Sequence, residues 1–107
     1  MQVNSDLRVS VIIPTYNAAD RLRECLEALE KQGFPREQYE IIVIDDGSID
    51  STASIVKNYD VRYFYQDNKG PAAARNKGAE IAKGNIILFT DADCTPDKNW
   101  VKEMVSS

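Results

Sequence analysis

Short apolar runs recur along the chain at residues 9–13, 41–44 and 86–89. Each is far too short to span a bilayer and has the length of a buried strand. The first is rich in β-branched residues, and the unbroken Ile41-Ile42-Val43-Ile44 predicts burial on both faces, as in a parallel sheet. Between the runs the apolar period becomes helical. Leu22, Leu26 and Leu29, with Cys25 beside them, give a helix over 18–32 one apolar face. Asn17 is its predicted N-cap, Gly33 its stop, and Pro35 lies just beyond.

The same reading gives strands at 8–14, 39–44, 61–65 and 85–90. Helices follow at 18–32, about 50–58 and 71–83. A last helix is predicted with Thr95 as cap, Pro96 at its first position, and Trp100, Val101 and Met104 as its apolar side. Pro14 is expected to close the first strand. The order β-α-β-α-β-α-β-α predicts an α/β fold: a Rossmann-like parallel sheet with helices on both faces and right-handed crossovers. No linker, repeat or low-complexity stretch divides residues 1–107, a length that allows one domain.

Composition narrows the function classes. With 43% hydrophobic and 28% charged residues the chain has the make-up of an ordinary globular domain. A net charge of −4 gives no basic surplus for a phosphate backbone, so no nucleic-acid partner is expected. No histidine is present, which excludes His-based metal sites and triads within this chain. Cys25 and Cys94 form no CxxC pair and read as reduced thiols. Residues 1–6 lack the basic start and apolar core of a leader, and the expected location is cytoplasmic.

Ligands of a parallel sheet bind at the carboxyl ends of its strands. Three polar clusters fall there: Pro14-Thr15-Tyr16-Asn17, Asp45-Asp46-Gly47-Ser48 and Asp91-Ala92-Asp93. Asp91 and Asp93, two positions apart on extended backbone, share a face. Paired carboxylates repel, and a hard divalent cation, Mn²⁺ or Mg²⁺, would relieve them while bridging to a substrate diphosphate. A solvated turn is the plainer reading of D-x-D alone. Asp45 or Asp46 can accept from a pyrimidine N–H or ribose hydroxyls, although Ser48 or Asp50 can equally cap a helix here. Tyr16 can lie against a base or ribose. Arg75 or Lys69 brings positive charge to the start of a small-residue helix, where anions are favoured.

Four motifs resemble those of family 2 glycosyltransferases, in order and spacing. They are Val9-Ser10-Val11-Ile12-Ile13-Pro14-Thr15-Tyr16-Asn17, the second-strand stretch from Ile41 to Thr52 with Asp45-Asp46-Gly47-Ser48, Gly70-Pro71-Ala72-Ala73-Ala74-Arg75-Asn76-Lys77-Gly78, and Phe89-Thr90-Asp91-Ala92-Asp93. The resemblance covers about 8–100. It implies an incomplete GT-A fold and the donor half of an inverting transferase that uses a UDP- or GDP-sugar with Mn²⁺ or Mg²⁺. Carried over, Pro14, Thr15 and Tyr16 line the nucleoside pocket, Asp46 meets the base with Asp45 nearby, Asp91 lies near the ribose or donor sugar, and Asp93 is the main metal ligand. Arg75 falls in the motif as a further substrate contact.

The family's general base comes from a later segment, with the half that holds a glycan or lipid-linked acceptor. After Asp93 only Asp97 and Glu103 remain, so no catalytic base is assigned in this chain and transfer by it alone is not expected. Membrane association would come from downstream segments of a longer parent. Apolar sheet edges make a homo-oligomer an expectation. Among alternatives, a non-catalytic nucleotide- or partner-binding module keeps the same donor residues. A sugar-1-phosphate nucleotidyltransferase would want a glycine-rich basic loop after the first strand. A phospho-receiver domain would carry its acidic pair there rather than after the second.

Overall fold

Every run predicted as a strand forms one. The computed structural model describes residues 7–106; residues 1–6, where the reading of a missing leader falls, lie outside them. The elements are β1 (Val9–Thr15), α1 (Ala19–Glu30), a single 3-10 turn at Arg36–Gln38, β2 (Tyr39–Asp45), α2 (Thr52–Val56), β3 (Arg62–Tyr65), α3 (Pro71–Ile81), β4 (Ile86–Phe89) and α4 (Trp100–Ser106). All strand pairs are parallel, in the order β3-β2-β1-β4. Val11 stands between Ile41 and Leu88, so the middle of the sheet is apolar, while polar residues of the two central strands, Ser10, Thr15, Glu40 and Asp45, lie toward their ends.

The strand order explains the layering. Successive crossovers carry the chain from β1 outward to β3, and the next returns it past β2 and β1 to β4. Right-handed crossovers then require α3 to lie on the face opposite α1 and α2. Alternate residues of the strands accordingly feed separate cores. Val9, Val11, Ile13, Ile41 and Val43 pack with Leu22, Leu26 and Leu29 of α1, Val56 of α2 and Val101 of α4. Ile12, Ile42 and Ile44 pack with Ala74 of α3. Helix α3 lies close to the sheet because Gly78 faces Ile12, where an added Cβ would stand 2.4 Å from Ile12 Cγ2.

Several boundaries differ from the sequence reading, each for a tertiary reason. Pro14 does not end β1, which runs one residue further to Thr15. The Ile12 carbonyl accepts from Thr90 on the β4 side, so the Pro14 nitrogen faces that same side, where strand pairing has already stopped at Ile12–Phe89. Asn17 is not the N-cap of α1. It takes φ +48° and turns its side chain away, while Ala18 occupies the cap without a side-chain bond. Gly33 is no left-handed stop; among the described residues positive φ occurs at Asn17, Gly47 and Gly70.

The last helix begins at Trp100 rather than at Thr95 or Pro96. The end of α1 competes for the carbonyls that an earlier start would use. Gln32 Nε2 donates to the Asp97 carbonyl at 2.7 Å, and the Gly33 amide donates to the Lys98 carbonyl at 2.7 Å. The Val101 amide then donates to Gln32 Oε1 at 2.8 Å. On α4 itself Val101 is buried and Trp100 and Val105 pack on the core, while Met104, expected on the apolar side, is exposed.

Candidate donor site

The direction of strand order reverses between β1 and β4, and a crevice opens at such a switch point beyond the strand ends. Pro14, Thr15 and Tyr16 from the end of β1, Asp46 after β2, Pro71, Ala74 and Arg75 from α3, and Asp91 after β4 line one cleft there, about 200 Å³ in volume. A second hollow of about 370 Å³ shares Pro14, Arg75 and Asp91 and continues along Thr90, Cys94 and Trp100. Elements far apart in the chain thus line two adjoining hollows.

Asp46 is the most elaborately held of these residues. Its side chain is buried, and Oδ1 accepts from Gln66 Nε2 at 3.0 Å and from the Lys69 amide at 2.7 Å. Oδ2 accepts from the Gly70 amide at 2.9 Å. Burial works against its charge, but these three donors outweigh it and hold the carboxyl below its usual value. Gly70 can aim its amide this way because it sits at φ +100°, a conformation that L side chains rarely adopt. Thr15 offers the opposite chemistry. Its residue is 4% exposed, it lines the cleft, and its Oγ1 is the one buried side-chain polar atom without a partner among the described residues.

Asp45 is not on the cleft wall. It is buried, Oδ1 accepts from the Ser48 amide at 2.8 Å, and Oδ2 accepts from the Tyr63 hydroxyl at 2.5 Å. Burial and this carboxylate push the Tyr63 hydroxyl pKa upward. The first aspartate of the pair therefore shapes the loop, and the second faces the cleft. Asp50 links neighbouring helices: Oδ1 accepts from the Thr52 amide and hydroxyl, and Oδ2 from the Ala19 amide that opens α1. The Thr52 hydroxyl is the largest influence on the Asp50 carboxyl, and these bonds together lower its pKa. Lys69 reaches the site through its backbone amide, while its side chain borders a different hollow beside Phe64 and Lys77.

Asp91, Asp93 and Cys94 are exposed, and they offer one ligand atom each, all within 4.8 Å of one another. Two carboxylates and a thiol at that spacing fit a single divalent cation after small rotamer adjustments, since hard-cation ligand bonds run about 2.0–2.6 Å. The loop that carries them is tied down from beneath. The Asp91 carbonyl accepts from Cys25 Sγ at 3.7 Å and from the Cys94 amide at 3.1 Å. Burial pushes the Cys25 thiol up to about 12, with Cys94, Asp93 and Asp91 adding to the effect. Both cysteines are free thiols. Asp97 borders neither hollow; its Oδ2 accepts from the Asn99 amide at the start of α4.

A family model described as Glycosyl transferase family 2 matches residues 10–107. The chain belongs to this family. Its sequence is 39% identical over 105 residues to glycosyltransferase AglE of Haloferax volcanii, an alignment that covers 92% of this chain and 34% of AglE. It is 36% identical over 103 residues to the poly(ribitol-phosphate) beta-N-acetylglucosaminyltransferase TarS of Staphylococcus aureus, covering 91% of this chain and 18% of TarS. The chain spans about a third or less of the length of these relatives.

Solved structures agree with the fold. TarS residues 1–349 in complex with UDP-GlcNAc superpose with a TM-score of 0.87 at 33% identity, covering 94% of this chain and 30% of that one. The mannosyltransferase PcManGT of Pyrobaculum calidifontis, in complex with GDP-Man and Mn²⁺, gives 0.77 at 35% identity, covering 85% and 29%. The family 2 chain is thus an α/β sheet that matches a portion of larger GT-A proteins. Sequence reasoning located Pro14, Thr15, Tyr16, Asp46, Arg75 and Asp91, which the fold gathers. It missed Gln66, whose only signal was a polar residue just past an apolar strand, and Cys94, which directly follows Asp93.

Proposed function

We propose that this chain holds a nucleotide-diphosphate sugar as the donor half of a metal-dependent, inverting glycosyltransferase. The observation that carries this reading is the convergence of Thr15, Asp46, Arg75 and Asp91 on one cleft at the strand-order reversal. Asp46 is a fixed acceptor for a base N–H. Tyr16, half exposed at the rim, offers an aromatic face. Arg75 faces both hollows and suits a diphosphate. Asp93 and Asp91 would hold Mn²⁺ or Mg²⁺, with Cys94 in reach. When bound, the cation supplies charge neutralisation for the departing diphosphate. TarS in complex with UDP-GlcNAc and PcManGT in complex with GDP-Man and Mn²⁺ support the reading by similarity.

Asp97 is committed to the start of α4, and the acceptor's proton must go to a base supplied elsewhere. The chain by itself therefore binds donor without transferring it. The test is a melting experiment with UDP- and GDP-sugars, with and without Mn²⁺. A rise in melting temperature that needs Mn²⁺, and that Asp93→Asn removes, is the expected result. No shift with any nucleotide sugar in a folded sample refutes the donor-site reading. Turnover with a simple acceptor refutes the claim of binding alone.

A further inference from the structure

We infer that Gln66 is a specificity-determining residue, selecting a base edge with a single ring N–H, as in uracil, over the paired donors of guanine. This rests on the donor-site reading above and follows from an inventory of acceptor sites. Each carboxylate oxygen offers about two. On Asp46, Oδ1 is filled by Gln66 Nε2 and the Lys69 amide. Oδ2 is half filled by the Gly70 amide. One acceptor site is left, on Oδ2.

The two backbone amides belong to the loop that starts α3 and cannot leave without moving it. Gln66 is the one side-chain donor in the set. It is held in turn by the fold: its residue is buried, and its amide donates to the Asp45 carbonyl at 2.9 Å. A uracil edge presents one N–H between two carbonyls. The remaining Oδ2 site takes the N–H, on a residue that lines the cleft. Guanine presents N1–H and the 2-amino group side by side, which a carboxylate satisfies only with both oxygens. With Oδ1 filled, guanine binds only by leaving a donor unpaired or by expelling Gln66.

The test is calorimetric binding of UDP, IDP and GDP, each with Mn²⁺, to the whole chain. IDP has the purine size of GDP but lacks the 2-amino group, so it separates the acceptor inventory from cleft size. The expected order is UDP tightest and GDP weakest, with IDP bound about tenfold more tightly than GDP, the effect of one buried donor left unpaired. Gln66→Leu keeps the volume and removes the donor, and should narrow the IDP-to-GDP gap to within about threefold by freeing Oδ1. Equal affinity for IDP and GDP in the natural sequence overturns the inference even if Gln66→Leu fails to fold. So does an unchanged gap in a folded Gln66→Leu. Absence of binding by all three nucleotides overturns the donor-site reading itself, and this inference with it.

Discussion

The backbone amide of Asn17 donates to the Ser48 hydroxyl at 2.8 Å, and the Asn17 side chain accepts from the Ile49 amide, next to Ser48, at 2.9 Å. This two-way clasp joins the loop after β1 to the loop after β2, and so joins Tyr16 to Asp46 across the top of the sheet. Asn17 makes it from φ +48°, a conformation that asparagine tolerates better than most residues. Asn17→Ala should lose about 1–2 kcal/mol from the missing bond and the left-handed backbone together. Asn17→Gly, free of the backbone term, should lose less. Urea unfolding of the two variants checks the order, and equal losses would mean that the backbone conformation contributes nothing.

Glu40 gives the fold a predicted dependence on pH. Its carboxylate, at the opposite end of the sheet from the cleft, accepts from Ser10 Oγ at 2.6 Å, the Lys83 amide at 2.8 Å and Arg62 at 2.9 Å. Burial opposes its charge, but these bonds prevail and bring its pKa below the usual 4.5. A depressed folded-state pKa adds stability above the unfolded value, and that stability is lost as pH falls through the folded one. Glu40→Gln should therefore cost about 1–3 kcal/mol at pH 7. Its deficit relative to the natural sequence should shrink once pH drops below the 4–5 range. Denaturant titrations at a series of pH values measure this, and a deficit that grows toward acid would contradict it.

The contact between α3 and the sheet sets a third expectation. Gly78→Ala gains about 1 kcal/mol of helix propensity. It also drives a methyl against the fully buried Ile12, an overpacking cost of about 1–3 kcal/mol. The net change should be destabilising, and the double variant with Ile12→Ala should lose less than the sum of the singles. Strict additivity in that cycle would show that α3 can shift freely. A displaced α3 would also carry Pro71, Ala74 and Arg75 away from Asp46 and Asp91, so nucleotide affinity should fall along with stability.

The architecture was readable because β-branched runs and helical leucine spacing report burial, which follows the sequence period in β1, β2 and α1, although Ile87 and Phe89 of the edge strand β4 are exposed. Motif order likewise pointed to the residues around the cleft. What the sequence could not give depends on partners distant in the chain. Asp45 and Asp46 are the same residue type in adjacent positions, and only the pleat and Tyr63 make one a loop brace and the other a cleft acceptor. Thr95-Pro96 has good helix-start chemistry, but Gln32 and Gly33 claim the carbonyls of Asp97 and Lys98 first. Asn17 has good capping chemistry and spends it on Ile49.

The place of β4 has a consequence for how the molecule assembles. Because β4 returns to pair with β1 instead of extending the sheet beyond β3, Asp91 and Pro14 come to one cleft only by closing a long stretch of chain. Such long-range pairing is slow, since its chain-closure entropy is lost before the contacts that offset it are made. A chain whose β4 has not paired with β1 lacks the Asp91 wall of the cleft, so a ligand that needs that wall reports the finished topology. Its binding holds the first strand and the last together and draws the equilibrium toward the completed sheet.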